Sequence, residues 1–300
     1  MTSAAVAAVV PDVESLRLRL DEVDYVAAPG LASALFLALR LPQPLLLEGE
    51  AGVGKTEAAK AVATILDTPL IRLQCYEGLD VAEALYEWNY ARQLLSIRLA
   101  ESRGADLAES DLFAESFLVE RPVLAALRHP GPRPAVLLID EVDRADHDFE
   151  AFLLEVLADA SVTIPEIGTV TASVAPVVVL TSNRTRDLHD ALKRRCLYHW
   201  IDYPGTEQLI DIVRRRVPHS SAGLAAEVAA AVERLRTLDI QKQPGIAESI
   251  DWVGALSLLG VTSLDVPAAD QTLGSVLKYR DDVEQVRERG LDWLVGATSA

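Results

Sequence analysis

Positive charge is scarce in this chain. Against 45 Asp and Glu stand 28 Lys and Arg, a formal net charge of −17 over 300 residues. Such a surface repels phosphate backbones, and nucleic-acid binding ordinarily leaves a basic footprint. The balance therefore argues against a protein that works on DNA or RNA, short of a local basic patch. Cysteine is scarcer still: Cys75 and Cys196 are the whole complement, too few for a disulfide framework. His129, His147, His189, His199 and His219 show no paired ligand spacing among themselves or with the cysteines, which argues against zinc. No run reaches the roughly 18 apolar residues that a membrane helix needs. The apolar run Ala4 to Val10 has no basic residue before it and meets Asp12 and Glu14, unlike a secretory leader with its positive first segment. The expectation is a cytoplasmic protein. Half of the residues are apolar and 24% are charged, a composition that folds around a core.

Periodicity divides the chain in two. Residues 1–14 read as loose, and Ser15 to Tyr25 carries Leu at helical spacing. From Leu31 onward, helical and strand patterns alternate. Leu45-Leu46-Leu47, Leu70 to Cys75, Ala135 to Ile139, Val177 to Leu180 and Leu197 to Ile201 read as strands; Lys55 to Leu66, Val81 to Ala100, Pro122 to Arg128, Phe149 to Leu157 and Leu188 to Arg195 read as helices. Val162 to Thr171 reads as a hairpin turning near Gly168. Alternation of this kind predicts a parallel sheet covered on both faces. After Pro204-Gly205 only helical patterns remain: Glu207 to Arg216, Ala222 to Leu238, Ala247 to Leu259 and Gln271 to Tyr279. The expected division is an α/β domain over 1–204, with an N-terminal extension, and an all-α domain over 205–300.

Four motifs carry chemistry. The first is Gly49-Glu50-Ala51-Gly52-Val53-Gly54-Lys55-Thr56, between a strand and a helix. That context suits a phosphate-binding loop: glycines let backbone N–H groups converge on phosphate oxygens, and the helix N-terminus adds positive potential. Lys55 then reaches the β- and γ-phosphates of ATP, and the Thr56 hydroxyl binds Mg2+. The second is Val136-Leu137-Leu138-Ile139-Asp140-Glu141. Its strand delivers two carboxylates to the sheet edge where ligands bind: Asp140 for the magnesium shell and Glu141 to polarise the attacking water. The acids that follow, Asp143, Asp146, Asp148 and Glu150, read as a solvated face. The third is Thr181-Ser182-Asn183, where the Asn183 amide can orient water or bond the γ-phosphate; a turn-capping Asn is the plainer alternative. The fourth is Lys193-Arg194-Arg195. An arginine of this cluster can act in trans as an arginine finger, or the cluster can simply complement a helix dipole. Cys196, beside the two arginines, reads as structural, with a lowered thiol pKa as the alternative.

This ordered set resembles the AAA+ ATPases. Asp140-Glu141-Val142-Asp143-Arg144-Ala145, the hairpin, and Asp190-Ala191-Leu192-Lys193-Arg194-Arg195 are similar to the MoxR family within them. A narrower likeness is to the MoxR-type ATPases that accompany maturation of molybdenum–copper carbon monoxide dehydrogenase. It rests on Cys75 to Asp80, Tyr86 to Tyr90, and Ala247-Glu248-Ser249-Ile250-Asp251-Trp252. The resemblance covers roughly residues 20–290. It implies a five-stranded parallel sheet of order 5-1-4-3-2, a C-terminal helical lid and a homo-oligomeric, hexameric ring. It also implies ATP and Mg2+ between subunits, with Arg195, or else Arg194, reaching the neighbour's site, a partner with a von Willebrand factor A-type domain, and a client complex such as a metalloenzyme. One departure is clear. Where many AAA+ lids carry an arginine, this chain reads Pro244-Gly245-Ile246-Ala247-Glu248, with Lys242 the nearest base. The competing classes are a nucleic-acid-associated AAA+ motor and a P-loop kinase or nucleotide switch.

Overall fold

The computed structural model describes residues 4–104 and 108–296. The chain forms two compact units, Met1–Val23 with Ala27–Glu48 and Thr56–Trp200, and Asp24–Val26 with Gly49–Lys55 and Ile201–Ala300.

The first unit is built on a five-stranded parallel sheet. Its strands are β1 (Leu45–Gly49), β2 (Leu70–Gln74), β3 (Val136–Asp140), β4 (Val177–Ser182) and β5 (Leu197–Ile201). They lie in the order β2-β3-β4-β1-β5, which is the expected 5-1-4-3-2 read from the other edge. The registers pair Leu45 with Val179, Val136 with Val177, and Gln74 with Asp140. Every residue of β1, β3 and β4 is buried, because helices cover both faces of such a sheet and leave no face for alternation. The core joins Leu46, Leu137, Ile139 and Leu180 to Leu124, Leu127, Phe149 and Leu153 of flanking helices. The hairpin pairs Ser161–Ile164 with Gly168–Thr171 antiparallel, with Gly168 at a φ of 98°.

Two expectations for this unit are corrected. Residues 1–3 lie outside the described residues, but the rest of the stretch read as loose contains a helix, Ala4–Val9. Val6 and Val10, four residues apart, are both buried, and Arg40 donates to the Val10 and Pro11 carbonyls at 2.7 and 2.9 Å. The helix read over Val81 to Ala100 is broken. It stops at Leu85; Tyr86–Trp88 pairs antiparallel with Leu118–Glu120, and a new helix runs Tyr90–Arg103. Tyr86 and Trp88 flank Glu87 with strand period, the Trp88 ring meets Phe113 edge-on at 5.3 Å, and the Asn89 side chain accepts the Arg92 N–H at 3.0 Å. Aromatic packing and a capping residue thus override a helix-like run of Leu.

The second unit is helical. Thr206–Arg216, Ala222–Arg236, Ile246–Leu258, Val266–Val276, Arg280–Arg289 and Leu291–Val295 surround Leu209, Val228, Val232, Trp252, Leu256 and Leu273. Trp252, fully buried, donates its indole N–H to the Thr272 hydroxyl at 2.7 Å. The last two helices escape periodicity reading because Arg280–Arg289 carries only Val283 and Val286 as apolar residues, a stripe too narrow to register.

Candidate active site

In the first unit, β3 ends in a buried acid. Asp140 is 2% exposed, and an ionised carboxylate in such a place needs donors and an opposite charge. It has both. Thr56 donates to its two oxygens at 3.1 and 3.3 Å, and Thr181 donates at 2.5 Å. Arg72, on β2, supplies the ion pair, with Nη2 at 2.6 Å and Nε at 3.0 Å from Oδ2. Parallel pairing puts the ends of β2, β3 and β4 side by side, which is why three strands and the start of the Lys55–Leu66 helix converge on one carboxylate.

Glu141 follows in a left-handed conformation, φ 56° and ψ 49°. That region is unfavourable for a non-glycine residue and is found where surrounding contacts enforce it. Here the Glu141 N–H is held by the Thr181 hydroxyl at 2.9 Å. Its carboxylate accepts from Gln74 Nε2 at 3.2 Å and from Asn183 Nδ2 at 3.4 Å, and it pairs with Arg144 at 2.9 Å. Thr56, Asp140, Glu141 and Asn183, chosen from separate motifs, are therefore brought together.

The reading of the following acids as a solvated face is corrected for two of them. Asp143 and Glu150 are 2% and 1% exposed. Asp143 accepts the backbone N–H of Asn183 at 3.2 Å and both the N–H and the hydroxyl of Thr185, at 2.8 and 2.7 Å. Glu150 accepts the His189 N–H at 2.7 Å and pairs with Arg186 at 2.5 Å. Asp146 caps the helix His147–Asp159 by accepting the Phe149 N–H, while Asp148 is exposed. The acids thus fasten the loop that carries Asn183. Arg72 and Gln74 escape sequence reading, and Thr181 and Asp143, although named there, are not given these roles, because their partners lie far along the chain; the period-two placement of Arg72 and Gln74 on one strand face is a weak local signal.

Arg194 and Arg195 stand apart from this cluster. They follow the helix Asp190–Lys193 and are exposed. Arg195 donates to the Leu154 carbonyl; the Arg194 side chain has no hydrogen-bond or ion-pair partner among the described residues. Cys196 does not take the lowered pKa weighed for it. Burial pushes its thiol up to about 12; burial, followed by the charge of Asp140, pushes Cys75 to about 12 as well. At pH 8 each has about a thousandfold fewer thiolates than an ordinary cysteine. Iodoacetamide at that pH is expected to leave both unlabelled in the folded protein and to label both in urea, read by mass spectrometry; rapid labelling of native Cys196 would contradict the assignment.

The glycine loop belongs to the second unit. Gly49, Gly52 and Gly54 have φ of 154°, 81° and 93°, and a Cβ on Gly49 would lie 2.3 Å from the Ile201 carbonyl oxygen. Side chains are excluded there, and the bare backbone forms a cradle of the kind that admits phosphate oxygens. Val53 is buried beneath the loop, while Glu50 is exposed and Ala51 half-buried. Lys55, 7% exposed, donates to the Gly49 and Glu50 carbonyls, each at 2.7 Å. Tyr25 donates to the Gly54 carbonyl at 3.3 Å, and Gln208 donates to the Val26 carbonyl at 3.1 Å. The stretch without an arginine packs on this loop: the Ile246 N–H bonds the Gly52 carbonyl at 2.9 Å, and a Cβ on Gly245 would sit 3.0 Å from the Ala51 and Gly52 oxygens. Glu248 accepts from Gly245 N–H at 3.0 Å and from Lys242 at 2.8 Å. Burial opposes its ionisation, but the bonds from Lys242 and Gly245 prevail and hold its carboxyl below the usual range.

The donor set fits a nucleotide with its cation. Thr56 and Asp140 are hard oxygen donors suited to Mg2+, and Arg72 already places a positive charge on Asp140. Residues 44–196 match the model of the AAA domain, dynein-related subfamily. Uncharacterized proteins of Staphylococcus haemolyticus and Staphylococcus aureus are each 26% identical over 231 residues, covering 75% of this chain and 78% of theirs. A mutant of RuvB from Thermotoga maritima is similar at 17% identity with a TM-score of 0.48, over 95% of this chain and 82% of that one. With just over half of its length matched, and with the nucleotide motifs where such a domain needs them, the chain belongs to the AAA domain family of P-loop ATPases, in its dynein-related subfamily.

Proposed function

We propose that this protein is an ATP-hydrolysing AAA+ chaperone of the MoxR type, which remodels or matures a partner complex. The observation that carries the reading is the convergence of Thr56, Asp140, Glu141 and Asn183 at the ends of β3 and β4. When bound with the nucleotide, Mg2+ would supply neutralisation of phosphate charge. Thr56 and Asp140 would hold that cation. Lys55 leaves the loop carbonyls for the phosphates, and the N–H groups of the loop cradle them. Glu141 accepts a proton from the attacking water, and Asn183, bonded to Glu141 at 3.4 Å, orients that water. Lys242, already poised on Glu248, takes the place of the missing lid arginine, with residues 205–300 acting as the lid. Arg194 or Arg195 completes a neighbour's site in a hexameric ring, and the unengaged Arg194 guanidinium is the better disposed. A von Willebrand factor A-type partner and a metalloenzyme client, as in carbon monoxide dehydrogenase maturation, are the narrower form of this reading.

Size-exclusion chromatography with light scattering, run with and without ATP and alongside a phosphate-release assay, tests it. The expected result is an ATP-promoted ring whose hydrolysis is insensitive to DNA, as the charge of −17 favours. Strong stimulation by DNA would instead identify a nucleic-acid motor. A monomer that passes phosphate to a small molecule would identify a kinase.

A further inference from the structure

We propose that Arg72 is a built-in counter-ion that competes with the divalent cation for Asp140, and so sets how much Mg2+ the protein needs to hold its nucleotide. This rests on the nucleotide reading above. Three observations carry it. First, the guanidinium engages Asp140 Oδ2 through both Nη2 and Nε, at 2.6 and 3.0 Å, the same carboxylate to which the Thr56 hydroxyl is bonded. A cation shared by Thr56 and Asp140 and a guanidinium on Asp140 draw on the same lone pairs and the same negative charge, so each weakens the other. Second, the two partners differ in freedom. The Asp140 side chain is 4% exposed and fixed by Thr56 and Thr181, whereas that of Arg72 is 50% exposed. Arg72 stands on β2, an edge strand of the sheet, so its head can swing into water at small cost while Asp140 stays. Third, the same guanidinium donates to Gln74 Oε1, and Gln74 Nε2 donates to Glu141 at 3.2 Å. Displacing Arg72 therefore frees the residue that holds the water-activating carboxylate, and cation binding is coupled to the release of Glu141.

A charge-assisted bond to a buried carboxylate, when removed, shifts a competing equilibrium on the order of tenfold. The test is equilibrium binding of N-methylanthraniloyl-ADP, by fluorescence, across a Mg2+ titration for the wild type, Arg72→Gln and Arg72→Lys. The half-saturating Mg2+ concentration is expected to fall on the order of tenfold in Arg72→Gln. Arg72→Lys, which keeps the charge, is expected to lie closer to the wild type. A half-saturating concentration that is unchanged or higher in Arg72→Gln overturns the proposal, as does an equal shift in both variants. A wild type that fails to bind the probe at any Mg2+ concentration overturns the nucleotide reading instead, so the two failures are distinct.

Discussion

Glu141→Gln is expected to slow ATP hydrolysis at least about 100-fold while ATP binding persists, since general-base catalysis contributes on that scale or more. The substitution preserves shape and removes basicity. The backbone turn is held through the Glu141 N–H on Thr181, which a glutamine retains. Gln74 and Asn183 donate to different carboxylate oxygens, so the amide oxygen keeps one of these two long contacts and the other is lost. The ion pair with Arg144 is lost, but both groups are partly exposed, at 54% and 31%, and such pairs contribute little. Nothing in the variant disturbs Lys55 or the glycine loop. Single-turnover phosphate release measured beside equilibrium ATP binding separates the two effects. Hydrolysis at the wild-type rate would remove Glu141 from its assigned role.

Asp143→Ala is expected to destabilise the protein by roughly 2 kcal/mol, because hydrogen bonds to a charged group contribute about 1.5–3 kcal/mol and the donors left behind can turn to water. The variant removes a buried acceptor, 2% exposed, from the N–H groups of half-buried Asn183 and exposed Thr185 and from the Thr185 hydroxyl. It also frees Asn183, which the carboxylate holds through the backbone, so hydrolysis is expected to fall further than nucleotide affinity does. Asp143→Asn keeps one acceptor oxygen and should fall between. Urea denaturation together with the split between kcat and nucleotide affinity reports both effects. An alanine variant as stable and as active as the wild type would show that the loop bearing Asn183 is anchored elsewhere.

The contrast between these residues shows how far local sequence signals reach. Glu141 is legible because it sits beside Asp140 at the end of an apolar strand that follows a glycine loop; its chemistry is local and ordered along the chain. Asp143, two residues further, is not. Its partners, Asn183 and Thr185, are some 40 residues away, and nothing in Asp143-Arg144-Ala145-Asp146 distinguishes the buried acid from the capping acid. The same holds for Arg72, whose partner Asp140 lies across the β2–β3 pairing. The broken helix over Val81 to Ala100 failed for the reverse reason: Leu at helical spacing gave a true local signal, but strand pairing of Tyr86–Trp88 with a distant segment outweighed it.

The sequence by itself determined the parallel sheet, through apolar runs buried on both faces, and singled out the loop, Lys55, Thr56, Asp140, Glu141 and Asn183 as candidates, through short-range spacing. Only the tertiary structure decided that Asp143 and Glu150 are internal anchors. It likewise decided that Arg72 neutralises Asp140, that Gln74 holds Glu141, and that Gly245 and Ile246 rest on the glycine loop. The physical reason is common to all of these. Periodicity and motif report on residues a few positions apart, whereas a buried charge is satisfied by whichever donor the sheet order brings beside it.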